Sequence, residues 1–188
     1  TVNSVVADTI NLTVISGGRA PSGGSIVAGT GTGTNLRGRL ATLGARGDIG
    51  SSLNPLRTTV GTILATAATG GIYLSESDAL ILESLSAATN VTVVIASGDL
   101  TVGSVTATGT ASVVTLNAAT GGILDGNAGA TNVTAASAVF QSMNSVALAG
   151  DPLEVNLKQA DATATTGGVY LNGAGSLTLN QVTAASDL

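Results

Sequence analysis

The chain has 188 residues, of which 44% are hydrophobic, 9% are charged and 2% are aromatic, and its formal net charge is −5. The absence of Cys and His excludes disulfides, thiolate metal sites and the Ser-His-Asp and Cys-His forms of nucleophilic catalysis. The acidic balance argues against nucleic acid as a partner, because phosphate binding needs a basic face. Membrane insertion is not expected either, since Ser, Thr, Asn or Gly interrupts every apolar run before the roughly 18 residues that span a bilayer.

The first third of the chain is rich in Gly, Thr and Arg, and it opens at Thr1 without a charged or apolar leader, so we expect a mature or excised segment. The run GTGTGT at 29–34 lacks the Lys and the helix of a phosphate-binding loop and predicts a hairpin or flexible segment. We predict an irregular insertion or loop around 17–50 that projects from the body, or else a loose coil without a binding role. Its basic residues are possible surface contacts: Arg19, Arg37 and Arg39.

A long internal echo follows. Residues 54–89 align without a gap on residues 151–186, and the phrase ATGGIYL of the first copy returns as TTGGVYL in the second. The two copies contain the only tyrosines, Tyr73 and Tyr170. We therefore predict that both tyrosines occupy equivalent corners of a repetitive fold, four repeat units apart. Their rings either cover the starts of strands or form paired stacking platforms for sugar rings, so both are possible surface contacts.

A shorter period lies beneath this echo. The phrases LILESLSA at 80–87, LTVGSVTA at 100–107 and LTLNQVTA at 177–184 share the spacing of their aliphatic residues. They alternate like short strands, and Gly-Gly, Gly-Asp and Asp-Gly pairs punctuate them as turns. Residues 134–149 could imitate a helix, but their Val, Ser and Thr content favours strands. The repeat unit is about 20–24 residues long.

Short strands with glycine corners at this period are typical of a parallel β-helix, a β-solenoid in which each coil pairs its backbone with the coils above and below. Small aliphatic side chains stack inside, and Thr, Ser and Asn form outward ladders. We predict an all-β chain, a single domain over residues 1–188, with eight or nine coils.

Residues suited to catalysis or metal binding are few. Glu76 and Asp78 could form a glycosidase pair, but the echo replaces them with Gly173 and Gly175, so a solvated acidic turn is the alternative. Asp99 and Asp125 could ligate calcium, although each stands alone in a turn. We predict no enzyme activity, no catalytic residue, no cofactor and no metal site. N-x-T triplets begin at Asn11, Asn90 and Asn132, and the Asn-Val-Thr of the last two predicts strand starts with an outward Thr.

The coil phrases, NPL…ATAATGGIYL and GDLTVGSVTATG among them, resemble the degenerate repeats of filamentous-haemagglutinin-like adhesins and related bacterial β-strand-repeat surface proteins. The resemblance covers residues 50–188 well and 1–49 loosely. It implies a right-handed parallel β-helix, an interior repeat segment, an extracellular or bacterial cell-surface location and a role as an adhesin shaft.

The main functional hypothesis is therefore a structural and adhesive segment of a large secreted cell-surface protein, which forms a rigid rod or filament by stacking β-coils. Its expected partners are identical or neighbouring repeat units, joined end to end, and host-surface or matrix glycans. The alternative is a carbohydrate-active or glycan-binding β-helix protein. An ice-binding module is a third hypothesis, and it requires a flat face of ranked threonines.

Overall fold

The computed structural model describes residues 1–14 and 24–186, and these residues form sixteen β-strands and no helix. The strands are β1 (Val5–Val6), β2 (Thr9–Val14), β3 (Leu36–Ala45), β4 (Leu56–Ala67), β5 (Ile72–Glu76), β6 (Leu80–Ala87), β7 (Val91–Ile95), β8 (Leu100–Ala107), β9 (Val113–Ala118), β10 (Ile123–Asp125), β11 (Val133–Thr134), β12 (Ser137–Ser142), β13 (Leu153–Asn156), β14 (Gln159–Ala164), β15 (Leu171–Gly173) and β16 (Thr178–Ala184). The described part of the chain thus holds no helix that could cross a membrane.

The strands wind into a β-solenoid of about seven turns, which confirms the predicted fold class. All pairings between the strands are parallel. Side-chain hydrogen bonds between successive coils join residues 18 positions apart at Thr59 and Ser77 and 24 apart at Asn117 and Gln141. This count differs slightly from the eight or nine coils predicted.

One side of the solenoid, face A, consists of β5, β7, β9, β12, β14 and β16, paired in that order. It continues towards the N-terminus through the first parts of β4 and β3 to β1. A single ladder of backbone partners therefore passes through every coil. Its members are Val5, Leu36, Thr58, Glu76, Ile95, Ala118, Ser142, Ala164 and Ala184.

The other side, face B, begins with β2 and the second parts of β3 and β4, continues through β6 and β8, and then divides into β10 and the series β11, β13 and β15. Two successive side chains of β6, those of Glu83 and Ser84, are exposed, and this interrupts the alternation of the strand. The strand bends there. In later coils the chain leaves the ladder at the corresponding position, between β10 and β11 and again before β13.

The core consists of columns of inward aliphatic side chains, and its members on face A show how they fit. Val93, Leu116, Phe140 and Ala162 follow one another on β7, β9, β12 and β14, and all four are buried. Phe140 is the one large ring in a core predicted to contain only small and medium side chains. It is accommodated because its neighbour towards the C-terminus, Ala162, is small.

The Thr-Gly-Gly phrase marks a recurrent corner. It occurs before Ile72, Ile123 and Val169. In each copy the N–H of the second glycine donates to a side-chain oxygen one coil earlier: Gly71 to Asp48, Gly122 to Asp99, and Gly168 to Ser145. A Cβ on the first glycine would overlap backbone atoms of that earlier coil. The first glycine of each pair is therefore required by the close stacking of coils at the corner.

One local prediction needs correction. The segment 17–50 is not irregular throughout, because Leu36–Ala45 forms β3, whose inward aliphatic residues were hidden by the surrounding Gly and Arg. Residues 15–23, with Arg19, lie outside the described residues. Asn90 and Asn132, which begin the two Asn-Val-Thr triplets, directly precede β7 and β11 as predicted.

Candidate functional site

Each copy of the tyrosine phrase lies beside a short excursion of the chain from its coil. We call Gly50–Pro55 the first insertion and Ala147–Pro152 the second insertion. In the first, Ser51 and Asn54 exchange two backbone hydrogen bonds of 3.1 and 3.2 Å, and in the second, Leu148 and Asp151 exchange two of 3.2 and 3.0 Å. The two insertions therefore have the same tight turn, and the sequence echo reflects a true local equivalence.

Both insertions open with a residue in the left-handed region, Gly50 at φ 69° and Ala147 at φ 59°. A Cβ on Gly50 would overlap the carbonyl oxygen of Tyr73 and the amide nitrogen of Leu56, so only glycine fits the first insertion. In the second insertion the methyl group of Ala147 is fully buried. The left-handed conformation costs this alanine roughly 1–2 kcal/mol, which the surrounding packing must offset.

The two tyrosines lie on different faces of the solenoid, so the prediction that they occupy equivalent corners four units apart is wrong. Tyr73 belongs to face A, where its N–H donates to the carbonyl of Ile49 at 2.8 Å. Tyr170 belongs to face B, where its N–H donates to the carbonyl of Val146 at 2.9 Å. Because the coils differ in length, 97 residues span whole coils plus about half of another.

The first insertion forms one wall of a groove on face A, with a cavity of about 280 Å³. The floor consists of outward residues of β5 and its neighbour β7, and Tyr73 lies directly opposite Thr92 in the ladder. The ring of Tyr73 lies over Gly71, where an added Cβ would be 2.8 Å from its Cε2 atom. The lining residues are all uncharged: Ser51, Ser52, Pro55, Tyr73, Leu74, Ser75, Thr92 and Val94.

Three hydroxyls of this first groove are free to meet a ligand. Within the described residues, the side chains of Ser52, Ser75 and Thr92 take part in no hydrogen bond, whereas the Ser51 hydroxyl accepts the N–H of Asn54 at 3.0 Å. Ser52 is exposed, and Ser75 and Thr92 are half-buried. The groove thus combines an aromatic ring with free hydroxyls on a rigid sheet.

The second insertion borders a groove of about 330 Å³ with a different lining. Where the first insertion has Ser51 and Ser52, the second has Leu148 and Ala149. The groove also includes Leu179 of the last strand, which is 50% exposed, so it opens onto the uncovered end of the core. It is lined by Ala149, Pro152, Val169, Tyr170, Leu171, Asn172, Leu179 and Val182.

Two of the arginines predicted as surface contacts, Arg37 and Arg39, do not line either tyrosine groove. Arg39 forms an exposed ion pair with Asp8 at 3.3 Å, and Arg37 lines a separate cleft. Arg57, which sequence reasoning left out, binds the carbonyls of Gly29 and Gly33, both at 2.8 Å, and the side chain of Asn54 at 3.0 Å. It ties the GTGTGT segment to the first insertion. The sequence signal for this contact was the spacing of three residues between Asn54 and Arg57.

The carboxyl of Glu76 points into the core and is 1% exposed. One of its oxygens accepts the N–H of Val60 at 3.0 Å, and the other accepts the N–H of Ser77 at 2.8 Å. Asp78 instead lines the cleft of about 390 Å³ that also contains Arg37. Both oxygens of Glu76 are therefore engaged, and the cleft presents only one carboxyl of the hypothetical glycosidase pair.

Burial raises the pKa of Glu76 above its usual 4.5, although the N–H groups of Val60 and Ser77 oppose the rise. The folded state then holds this proton more tightly than the unfolded state does. We expect stability to fall as pH increases from the unfolded pKa through the raised folded pKa. Urea denaturation at a series of pH values should show this component in the wild type and not in Glu76→Gln. The exposed Glu83→Gln is the control, and a pH-independent difference between wild type and Glu76→Gln would contradict the expectation.

A second set of acidic side chains, Asp125 with its neighbours Asp151 and Glu154, lies near the buried Asn132. The carboxylate of Asp125 accepts hydrogen bonds from the N–H of Asn127, at 2.9 Å, and from the side-chain amide of Asn132. Burial acts to raise the pKa of Asp125, but these hydrogen bonds outweigh it, so the pKa is lowered overall. Desolvation and the neighbouring Asp125 and Glu154 raise the pKa of the exposed Asp151. Among the described residues, no group of three or more acidic side chains is placed to hold a metal ion.

The calcium hypothesis also named Asp99, whose carboxylate accepts the N–H of Gly122 at 2.8 Å in a Thr-Gly-Gly corner. The comparisons with known proteins give no further guidance: no family model, no curated protein and no solved structure matches this chain.

Proposed function

We propose that this chain is a structural and adhesive segment of a large secreted bacterial cell-surface protein, in which stacked β-coils form a rigid rod or filament. The observation that carries the proposal is the unbroken ladder of backbone partners from Val5 to Ala184. The ladder has nine members and therefore eight spacings of about 4.8 Å, so it extends roughly 38 Å along the axis. Each inner coil is held by its neighbours on both sides, so such a rod resists bending.

The edges of the end coils support end-to-end association with identical or neighbouring units. Within the described residues, β16 at the C-terminal end pairs only with β14, and Leu179 is half exposed there. Among the strands of residues 1–14 and 24–186, β1 at the N-terminal end pairs only with β3, and Val6 is 71% exposed. Unpaired strand edges with apolar side chains recruit further strands.

The extracellular location is part of the proposal, and it draws support from composition. Export favours chains without stray thiols, and this chain has no Cys. Antibodies raised against the chain should label intact cells of the producing bacterium without permeabilisation. Labelling that requires permeabilised cells would contradict the proposed location.

We expect Leu179→Lys to weaken self-association of the chain at least about tenfold, because a lysine at a strand edge disfavours further pairing and places a charge on the apolar end of the core. Sedimentation velocity over a hundredfold range of protein concentration measures the effect. The matched control is Leu53→Lys, which changes an equally apolar residue, 97% exposed on the first insertion, far from either strand edge. A wild-type chain that stays monomeric throughout would refute end-to-end stacking.

A further inference from the structure

We propose that the first groove, between the first insertion and face A, is a binding site for one unit of a neutral saccharide. The inference does not rest on the proposed function, since it concerns the groove of a single chain. It starts from the lining, in which a tyrosine ring, a proline and a valine are interleaved with the hydroxyls of Ser52, Ser75 and Thr92. A sugar ring has the same two properties, an apolar face of C–H groups and a rim of hydroxyls.

The absence of charge in the lining selects among saccharides. None of the eight lining residues is charged. A sulfated or carboxylated glycan would have to leave water without an Arg or Lys to pair with, which is costly for a charged group. A neutral sugar hydroxyl needs only hydrogen-bond partners, and Ser52, Ser75 and Thr92 each offer a donor and an acceptor.

An extended peptide is a poorer fit to the same groove. Peptides usually bind sheets by pairing their backbone with an unpaired strand edge. Here β5 is paired with β4 on one side and with β7 on the other, and the backbone groups of Ser51 and Asn54 are used within the turn. Recognition must therefore come from side chains, and those present are hydroxyls, one aromatic ring and a few aliphatic groups.

The size of the cavity limits what it holds. About 280 Å³ lies near the lower end of small-molecule pockets, which start at about 300 Å³. The groove therefore fits a single sugar unit, with the rest of a longer glycan passing over the exposed insertion. The rigid sheet beneath Tyr73 and Thr92 means that the site is formed before the ligand arrives, so little ordering is needed on binding.

The second groove serves as a control within the same molecule. It has the same turn and the same kind of ring, Tyr170, but Leu148 and Ala149 stand where the first insertion has two serines. If an aromatic ring beside a turn were sufficient, both grooves would bind. If the hydroxyl set is required, as we infer, only the first groove binds.

The test uses the whole chain with cellohexaose, maltohexaose and chitohexaose as neutral probes and a heparin hexasaccharide as the charged probe. The chain has no Trp and two Tyr, so Tyr170→Phe leaves Tyr73 as the only strong intrinsic fluorophore. Titration of this variant reports directly on the proposed site. We expect saturable fluorescence change with at least one neutral probe and none with heparin.

The substitutions then locate the site. Tyr73→Ala, followed by calorimetry, should weaken binding at least about tenfold, and Tyr170→Ala should leave it unchanged. Thr92→Val keeps the shape of the side chain and removes its hydroxyl, so it should weaken binding several-fold even if Tyr73→Ala does not fold. Binding of no neutral probe at millimolar concentration, binding of heparin alone, or equal loss in Tyr170→Ala would each overturn the inference.

Discussion

Phe140→Ala is expected to lower the free energy of unfolding by about 3–5 kcal/mol, the range for removing a buried aromatic ring from a packed core. Phe140 is fully buried in the column between Leu116 and Ala162. Parallel ladders hold the backbone above and below at fixed spacing, so the coils cannot collapse into the space that the ring leaves. The cost should therefore lie towards the upper end of the range.

Urea denaturation followed by far-ultraviolet circular dichroism measures this loss. Gln141→Ala is the control on the same strand, because Gln141 is exposed and should change stability by less than about 0.5 kcal/mol. Ala162→Val in the Phe140→Ala background should recover part of the loss by refilling the column from its neighbour. An effect of Phe140→Ala below about 1 kcal/mol would show that the stacked column is not the main source of stability in these coils.

The fold could be predicted from the sequence because matching coil phrases correspond to strands that pair in the same register. Residues 80–87 and 100–107 were matched by pattern, and in the structure β6 and β8 pair along that match, from Leu80 opposite Leu100 to Ala87 opposite Ala107. The double spacer within each phrase, as at Glu83–Ser84, is where β6 gains one residue relative to β4. The pattern thus encodes an alternation with a built-in bulge.

The face on which a phrase lies could not be predicted. The third phrase, 177–184, has the same pattern, yet its strand β16 lies on face A and pairs with β14. Its pairing also shifts by one residue, at Asn180, the position that matches Glu83 in the echo. Identical local geometry is therefore used on either face. Only the summed lengths of all intervening coils assign the face, and insertions make those lengths unequal.

The residues of the candidate groove could likewise be predicted only in part from the sequence. Composition singled out Tyr73 and Tyr170, because the chain has no other tyrosine. The hydroxyls of Ser52 and Thr92 come from segments far apart in sequence, and only the stacking of coils brings them to the same ring. In a chain so rich in Ser and Thr, no pattern distinguishes these hydroxyls from the many that simply face solvent.

Asn132→Ala is expected to destabilise the chain by about 1–3 kcal/mol, because it leaves the N–H of Glu154 without a partner, whereas the carbonyl of Val102 still accepts the N–H of Gly126 at 3.0 Å. Asn132 is fully buried. Its Nδ2 donates to the carbonyl of Val102 at 2.7 Å, and its Oδ1 accepts the N–H of Glu154 at 2.8 Å. One side chain thereby fastens three successive coils at the point where the chain leaves face B. Urea denaturation checks the loss.

Asn132→Asp separates this role from simple packing, since the side chain keeps its shape but loses the donor. The new carboxylate would face the carbonyl of Val102 and the carboxylate of Asp125, so we expect a loss at neutral pH at least as large as that of Asn132→Ala. The loss should shrink as pH falls and the new carboxyl takes up a proton. Asn117→Ala is the control, because its exposed amide bonds only the Gln141 side chain. Equal stability of Asn132→Asp and wild type at neutral pH would show that the coils are held by their ladders alone.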